Sequence, residues 1–288
     1  MKLISVTGAI VVVGLSVAAP VSAQEEGGEA GAVAEVGAGV EVGAEAGVEA
    51  GLPLPWAQRP LTLTLGTLRI DGAFSIERFP DLFDAREMEV IEVDPRVLLS
   101  VGAAYGIHED FEVGATVLPV LLSPVVRYDD PEVYAIFRFL RGQAELGAML
   151  RVIFPVRRDA RIDPGMRLLL HIGEIARLDV GLFVRIAVRP REDDVVSLLV
   201  PVAFALNVTD SLYFGVESGL VLSGFEDAAI PTGFFAGYTI PASAGGPLVD
   251  IEARFGWPEL FTPGQAGDDV RTYHWQTGLA ARVYIDLI

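Results

Sequence analysis

The residues best placed to do chemistry in this chain are arginines and carboxylates that recur at every second position between apolar neighbours. Arg138, Arg151, Arg167 and Arg185 fall on four successive segments, with Asp179 beside the last of them, and Glu217, Asp250, Glu252 and Arg254 follow on later ones. A basic wall facing an acidic wall across water sets up a transverse field that orients small polar solutes. Packed against one another, the same groups pair into a network that fills the space between them. The sequence leaves both arrangements open.

Catalytic constellations are missing. The histidines His108, His171 and His274 stand far apart. There is no His-Glu-x-x-His, no Gly-x-Ser-x-Gly elbow and no phosphate loop. A serine hydrolase working at a lipid surface needs serine and histidine on one face, and Ser218 has no histidine near it. The expectation is therefore no enzyme, no cofactor and no metal. The formal charge of −18 and the lack of a basic patch free of acids exclude nucleic acid as a partner.

The elements that position these charges are strands. In Arg177 to Arg189 every even position is a sizeable apolar residue, and the odd positions are charged or small apart from Phe183. Successive strand side chains point to opposite faces, so one face is apolar throughout and the other carries ions. Twelve such strands are expected between Leu61 and Leu287. The first is Leu61–Ile76, bulged near Gly66-Thr67 where its apolar parity switches, and the third is Phe111–Leu122. Tight connections at 106–110, 141–143, 173–176 and 207–211 alternate with longer ones at 77–94, 123–131, 156–164, 189–195, 223–231 and 258–270.

Two architectures bury an apolar sheet face: a soluble sandwich, or a barrel that turns it to lipid. The hydrophobic fraction is 51% and mean hydropathy +0.45, yet no segment after the N-terminus offers about 20 uncharged apolar residues for a spanning helix. Hydrophobicity dispersed in alternation, with regularly alternating loop lengths, favours the membrane barrel. Its lipid face includes Leu146, Leu150, Leu178, Leu182, Ile186, Val202, Phe204, Phe255 and Leu279. Tyr105 and Phe111 flank a short turn and Trp257 and Trp275 flank a long loop, as aromatic girdles at the two headgroup zones do.

The ends fit export. Residues 1–23 read as a secretory signal, with Lys2, an apolar stretch and Val21-Ser22-Ala23 as cleavage site. Residues 24–60 divide into an acidic Gly/Ala/Val/Glu tail and a linker stiffened by Pro53, Pro55 and Pro60 around Trp56. The tail holds seven glutamates and no base, too little apolar surface to fold. The chain has no cysteine, so it folds without disulfides. Residues 61–288 form the barrel.

Pieces such as Tyr105-Gly106-Ile107-His108-Glu109-Asp110-Phe111-Glu112-Val113-Gly114-Ala115 resemble the periplasmic hairpins of bacterial outer-membrane β-barrel proteins, a broad, porin-like class. The last strand, with Leu279, Ala281, Val283, Ile285 and Leu287 on one face, resembles a barrel-assembly signal, although it ends in Ile288 where an aromatic is usual. The resemblance implies an all-β, antiparallel up-and-down barrel in the outer membrane, with short periplasmic turns and longer extracellular loops. It also implies outer-membrane lipids, lipopolysaccharide and the barrel-assembly machinery as partners. Passive passage of small hydrophilic solutes is the expected function. Anchoring or surface display by a barrel with a plugged lumen is the alternative.

Overall fold

The computed structural model describes residues 52–80, 82–84, 89–154, 156, 160–188, 196–225, 227–241, 247–263 and 272–288. The expected signal segment and acidic tail lie outside the described residues. Twelve strands make the barrel wall: β1 (Thr67–Arg78), β2 (Arg96–His108), β3 (Phe111–Thr116), β4 (Glu132–Leu140), β5 (Ala144–Ile153), β6 (Arg161–Ile172), β7 (Ala176–Ala187), β8 (Val196–Asn207), β9 (Leu212–Ser223), β10 (Asp227–Ile240), β11 (Leu248–Phe261) and β12 (Trp275–Asp286). Each pairs antiparallel with its neighbours in sequence. The ring closes where β12 meets β1, in register from Thr67 opposite Asp286 to Arg78 opposite Trp275. Closure removes both sheet edges, so no row of unpaired backbone groups is left to face lipid.

Alternation sorts the side chains as the sequence reading requires. On β7, Arg177 and Phe183 are buried inside, while Leu182 and Ile186 are exposed on the outer surface. Leu150, Phe214, Ile251, Phe255 and Leu279 are likewise exposed outside. In water such a surface would be a large unpartnered apolar area; around a closed barrel it matches a hydrocarbon layer. Among the described residues no helix is long and apolar enough to cross a membrane.

Three expectations about the wall need correction. The first strand begins at Thr67, and residues 61–65 are not part of the wall. The parity switch near Gly66 marks the chain turning out of the lumen, not a bulge. Gly66 adopts a left-handed φ of +79°, which strains any residue with a Cβ, and a Cβ there would also displace the exposed Ile288 side chain.

Second, the expected strand Phe111–Leu122 is broken. β3 stops at Thr116, and after a bulge at 117–119, where the Val117 and Leu118 N–H groups share the Val101 carbonyl, Val120–Ser123 continues antiparallel along β2 opposite Val97–Leu99. Pro119, which has no N–H to give, lies in the break. Third, the long loop expected at 223–231 is a connection of residues 224–226 only, turned by Gly224 and Phe225 at φ +60° and +62°. The remaining loops at that end, 79–95, 124–131, 154–160, 188–195 and 262–274, have seven residues or more, whereas the opposite turns at 109–110, 141–143, 173–175 and 208–211 have four or fewer and the connection at 241–247 has seven. With an even strand number, β1 begins and β12 ends at the short-turn side.

Candidate functional site: the lumen and its N-terminal plug

The segment at 52–66 occupies the short-turn end of the lumen. A single 3₁₀ turn, Trp56–Gln58, lets it cross the barrel without a strand partner. Its buried backbone groups are therefore satisfied by lumenal side chains. The Ala57 N–H donates to Asn207 Oδ1 at 2.7 Å, and Ala57 O lies 2.8 Å from His171 Nδ1. The Leu61 N–H donates to Glu145 and the Leu63 N–H to Glu112, both at 2.9 Å. The anchors come from β3, β5, β6 and β8, spread around the ring.

Arg59 supplies the strongest tie. Its Nη1 and Nη2 donate to the two carboxylate oxygens of Asp250 on β11 at 2.5 and 3.0 Å, and Nη2 also donates to Thr239 Oγ1 at 3.0 Å. Tyr284 Oη donates to the same carboxylate at 3.0 Å. A bidentate guanidinium–carboxylate pair away from water holds only with its remaining hydrogen-bonding capacity filled, and here it is. Trp56 stacks on Tyr213 with ring centroids 5.2 Å apart, and the Arg177 guanidinium lies 4.1 Å above the Trp56 ring. Tyr213 can lie there because position 237 is glycine: a Cβ at Gly237 would sit 2.2 Å from its ring.

All nine residues expected in the lumen lie on inward positions of their strands. They do not form two opposed walls. Arg138 is buried at the short-turn rim, bonded to Glu145 at 2.9 Å and Asp110 at 3.1 Å. Arg185 pairs with Asp163 at 2.9 Å. Asp179 takes Arg177 at 2.9 and 3.0 Å and Arg167 at 3.3 Å. Arg151 approaches Glu132 only to 3.9 Å. On the far side Glu217 takes Arg254 at 3.0 Å, and Glu252 is held by Arg254 and by Arg282 at 3.2 Å. Asp250 belongs to the plug. Each charge finds its partner on its own strand or on one of the next two, because a near neighbour neutralises it at far lower cost than a group across the barrel.

The four aromatics expected in girdles, Tyr105, Phe111, Trp257 and Trp275, occupy outward positions. Trp257 meets Phe255 edge-on at 4.9 Å, and Phe255 stacks on Trp275 at 6.2 Å, so the aromatics at the long-loop end form one connected cluster. Near the tight turns the rings of Phe139, Phe214 and Tyr238 are also exposed on the outer surface. These three share the outward parity and turn-proximal position used to select Tyr105, and the same rule reaches them.

Two clusters outside the spanning strands hold shifted groups. In the 109–110 turn Asp110 is held below the usual carboxylate range, chiefly by its hydrogen bonds to Arg141 and then by Arg138. At the long-loop rim His274 lies 3.1 Å from Glu77 and 3.9 Å from Glu259. Burial alone would lower its pKa, but the two carboxylates outweigh it and the imidazole is pushed up to about 9. The remaining lumenal histidine, His171, bridges Ala57 O and Glu145 Oε1. Among the described residues no group of three or more His, Asp or Glu is arranged to hold a metal ion.

Between the plug and the long-loop rim lies a cavity of about 620 Å³. Its lining includes the arginines at 151, 167, 185 and 254, together with Tyr134 and an apolar group around Phe183.

No protein-family model and no curated protein matches the chain. Solved structures do. A porin, KdgM, in complex with disordered oligogalacturonate superposes with a TM-score of 0.50 at 8% identity, over 76% of this chain and 99% of the porin. A COG4313 outer-membrane channel from Pseudomonas putida F1 gives 0.50 at 12% identity, over 78% of this chain and 96% of the channel. At such identities the likeness concerns the fold. The chain has the fold of the bacterial outer-membrane β-barrels: a closed, twelve-stranded, antiparallel up-and-down barrel.

Proposed function

We propose that this chain is an outer-membrane channel for the passive passage of small hydrophilic solutes, narrowed at its periplasmic mouth by residues 52–66. The observation that carries the reading is the charged cavity of about 620 Å³ inside a wall whose outer surface is apolar. An interior built only to be filled would have no use for space lined by ions. The known structures with this fold reported above include channels, which supports the same class of function. The protein would reach the membrane through a cleaved signal, insert through the barrel-assembly machinery and contact outer-membrane lipids and lipopolysaccharide. We assign it no catalytic role.

The experiment is reconstitution of the full mature chain into planar bilayers and into liposomes loaded with an osmolyte. Conductance steps, and swelling in isotonic small sugars, are the expected result. A second reading is favoured by one observation, the buried Arg59–Asp250 tie: a barrel with a permanently plugged lumen that anchors the N-terminal tail. That reading requires silence in both assays, even after Arg59→Ala with Trp56→Ala has weakened the plug. Silence of that kind overturns the channel.

A further inference from the structure

The lumen is close to charge-balanced, but its surface is not. Eight arginines and five carboxylates line the cavity. The carboxylates mostly lie beneath the guanidinium groups they bind. Asp163, Asp179 and Glu217 have side chains 4%, 14% and 12% exposed, whereas Arg151, Arg167 and Arg254 are 23%, 33% and 32% exposed. A solute in the cavity therefore meets guanidinium first. Glu132, 30% exposed, is the exception.

The three exposed arginines are unequally committed. Among the described residues Arg151 reaches a carboxylate only at 3.9 Å, and Arg167 makes one bond of 3.3 Å to Asp179, whose oxygens Arg177 already takes. Both retain donor capacity toward the cavity, since a guanidinium carries five N–H groups. Arg254 is held by Glu217 and Glu252. It stands on β11, six strands round the ring of twelve from Arg151 on β5 and thus on the opposite wall.

Between Arg151 and Arg167 runs an apolar row. Ile136 pairs with Met149, Met149 with Gly165, Gly165 with Phe183 and Phe183 with Leu199, so the row crosses five adjacent strands in register. Ile136, Met149, Phe183 and Leu199 form one packed cluster with Tyr134 against it, and all five line the cavity. The row directly on its long-loop side is Tyr134, Arg151 and Asp163, and the row on its short-turn side contains Gly147, Arg167 and Gly181. Guanidinium donors thus flank a greasy strip one residue wide on either edge. Polar solutes alone give no reason for the strip, and apolar solutes alone give no reason for its flanking cations.

We propose that this lumenal site takes small organic monocarboxylates with an apolar body, aryl or alkyl. The carboxylate is received by Arg151 and Arg167, and the apolar part lies along Met149, Phe183 and Leu199. The proposal deepens the channel reading by naming a substrate class, and it is tested without requiring conduction. The measurement is calorimetric titration of the full mature chain in detergent micelles with sodium benzoate, acetate, benzamide and benzylammonium chloride.

Benzoate is expected to bind at least tenfold more tightly than each of the other three. Arg151→Gln with Arg167→Gln should weaken benzoate at least tenfold and abolish its advantage over benzamide. Benzylammonium binding as well as benzoate overturns the proposal, as does benzoate affinity unchanged in the double variant. Acetate equal to benzoate removes the role of the apolar row and overturns it too. Should the double variant not fold, the four-ligand series on the unaltered chain decides alone. Liposomes that swell in no solute while benzoate still binds sink the channel reading and leave the site. Swelling in sugars with no benzoate preference does the reverse.

Discussion

Arg59, on a segment with no strand of its own, places both terminal guanidinium nitrogens on Asp250, 191 residues further along the chain and on the eleventh strand of the wall. Both side chains are almost fully withdrawn from solvent. The pair ties the segment at 52–66 to the eleventh strand, so loss of either partner leaves an uncompensated buried charge. Breaking such a pair costs about 3–5 kcal/mol.

Arg59→Ala is therefore expected to loosen the plug far more than removing both charges does. In the single variant, residues 52–66 should become cleavable by an added protease and single-channel conductance should rise. The double variant Arg59→Ala with Asp250→Ala should recover much of the lost stability, because no charge is stranded. A double-mutant cycle in urea that shows no coupling would mean the pair does not hold the plug.

The outer surface makes a contrary prediction about charge. Leu182 is half exposed in the middle of β7 and faces away from the lumen. Leu182→Arg should destabilise the barrel in phospholipid vesicles by about 2–4 kcal/mol, the cost of arginine at the bilayer midplane. Arg185, three residues on, lies inside against Asp163 at no such cost. Equal stability of Leu182→Arg and the unaltered chain, by urea titration in vesicles, would place that face away from lipid.

The barrel was legible because its determinants are local. Period-two alternation assigned the inward side of all nine lumenal residues and the outward side of Tyr105, Phe111, Trp257 and Trp275, since parity alone decides a face. The plug was not legible. Its anchors Glu112, Glu145 and His171 were recognisable as lumenal, but their partners are backbone groups at 57, 61 and 63, and backbone groups carry no sequence signal. Arg59 and Trp56 were visible as a base and an aromatic just past an acidic, ring-free tail, yet a proline-rich stretch reads equally as a linker. The 224–226 turn escaped because it places Phe225, a bulky residue that rarely adopts φ +62°, at a left-handed position. The pairing of the lumenal charges was hidden for another reason. It depends on register, which side-chain parity does not supply.

Gly237→Ala probes the stacking of the plug without touching it. The added Cβ would fall 2.2 Å from the Tyr213 ring, which must move off Trp56. Overpacking of this kind costs about 1–3 kcal/mol. Trp56 fluorescence should shift and protease protection of 52–66 should fall, with the barrel itself retained on gels run without heating. Unchanged fluorescence and protection would show that the Trp56–Tyr213 stack does not secure the segment.

The rim cluster predicts loss of stability on the alkaline side. His274, between Glu77 and Glu259, has its pKa raised from an ordinary value near 6.5 to about 9 in the folded protein. A group raised on folding binds its proton more tightly in the native state, so its stabilisation is complete below the unfolded value and fades as pH rises through the folded one. Thermal stability should therefore decline between about pH 6.5 and pH 9, and His274→Gln should flatten that segment of the profile. The sign is opposite for Asp110, whose carboxylate is held low by Arg141 in the 109–110 turn: its contribution is present above the ordinary aspartate range and lost as acid protonates it. Arg141→Gln should then soften the acid limb and leave the alkaline one alone. An alkaline decline that survives in His274→Gln would assign it to some other group.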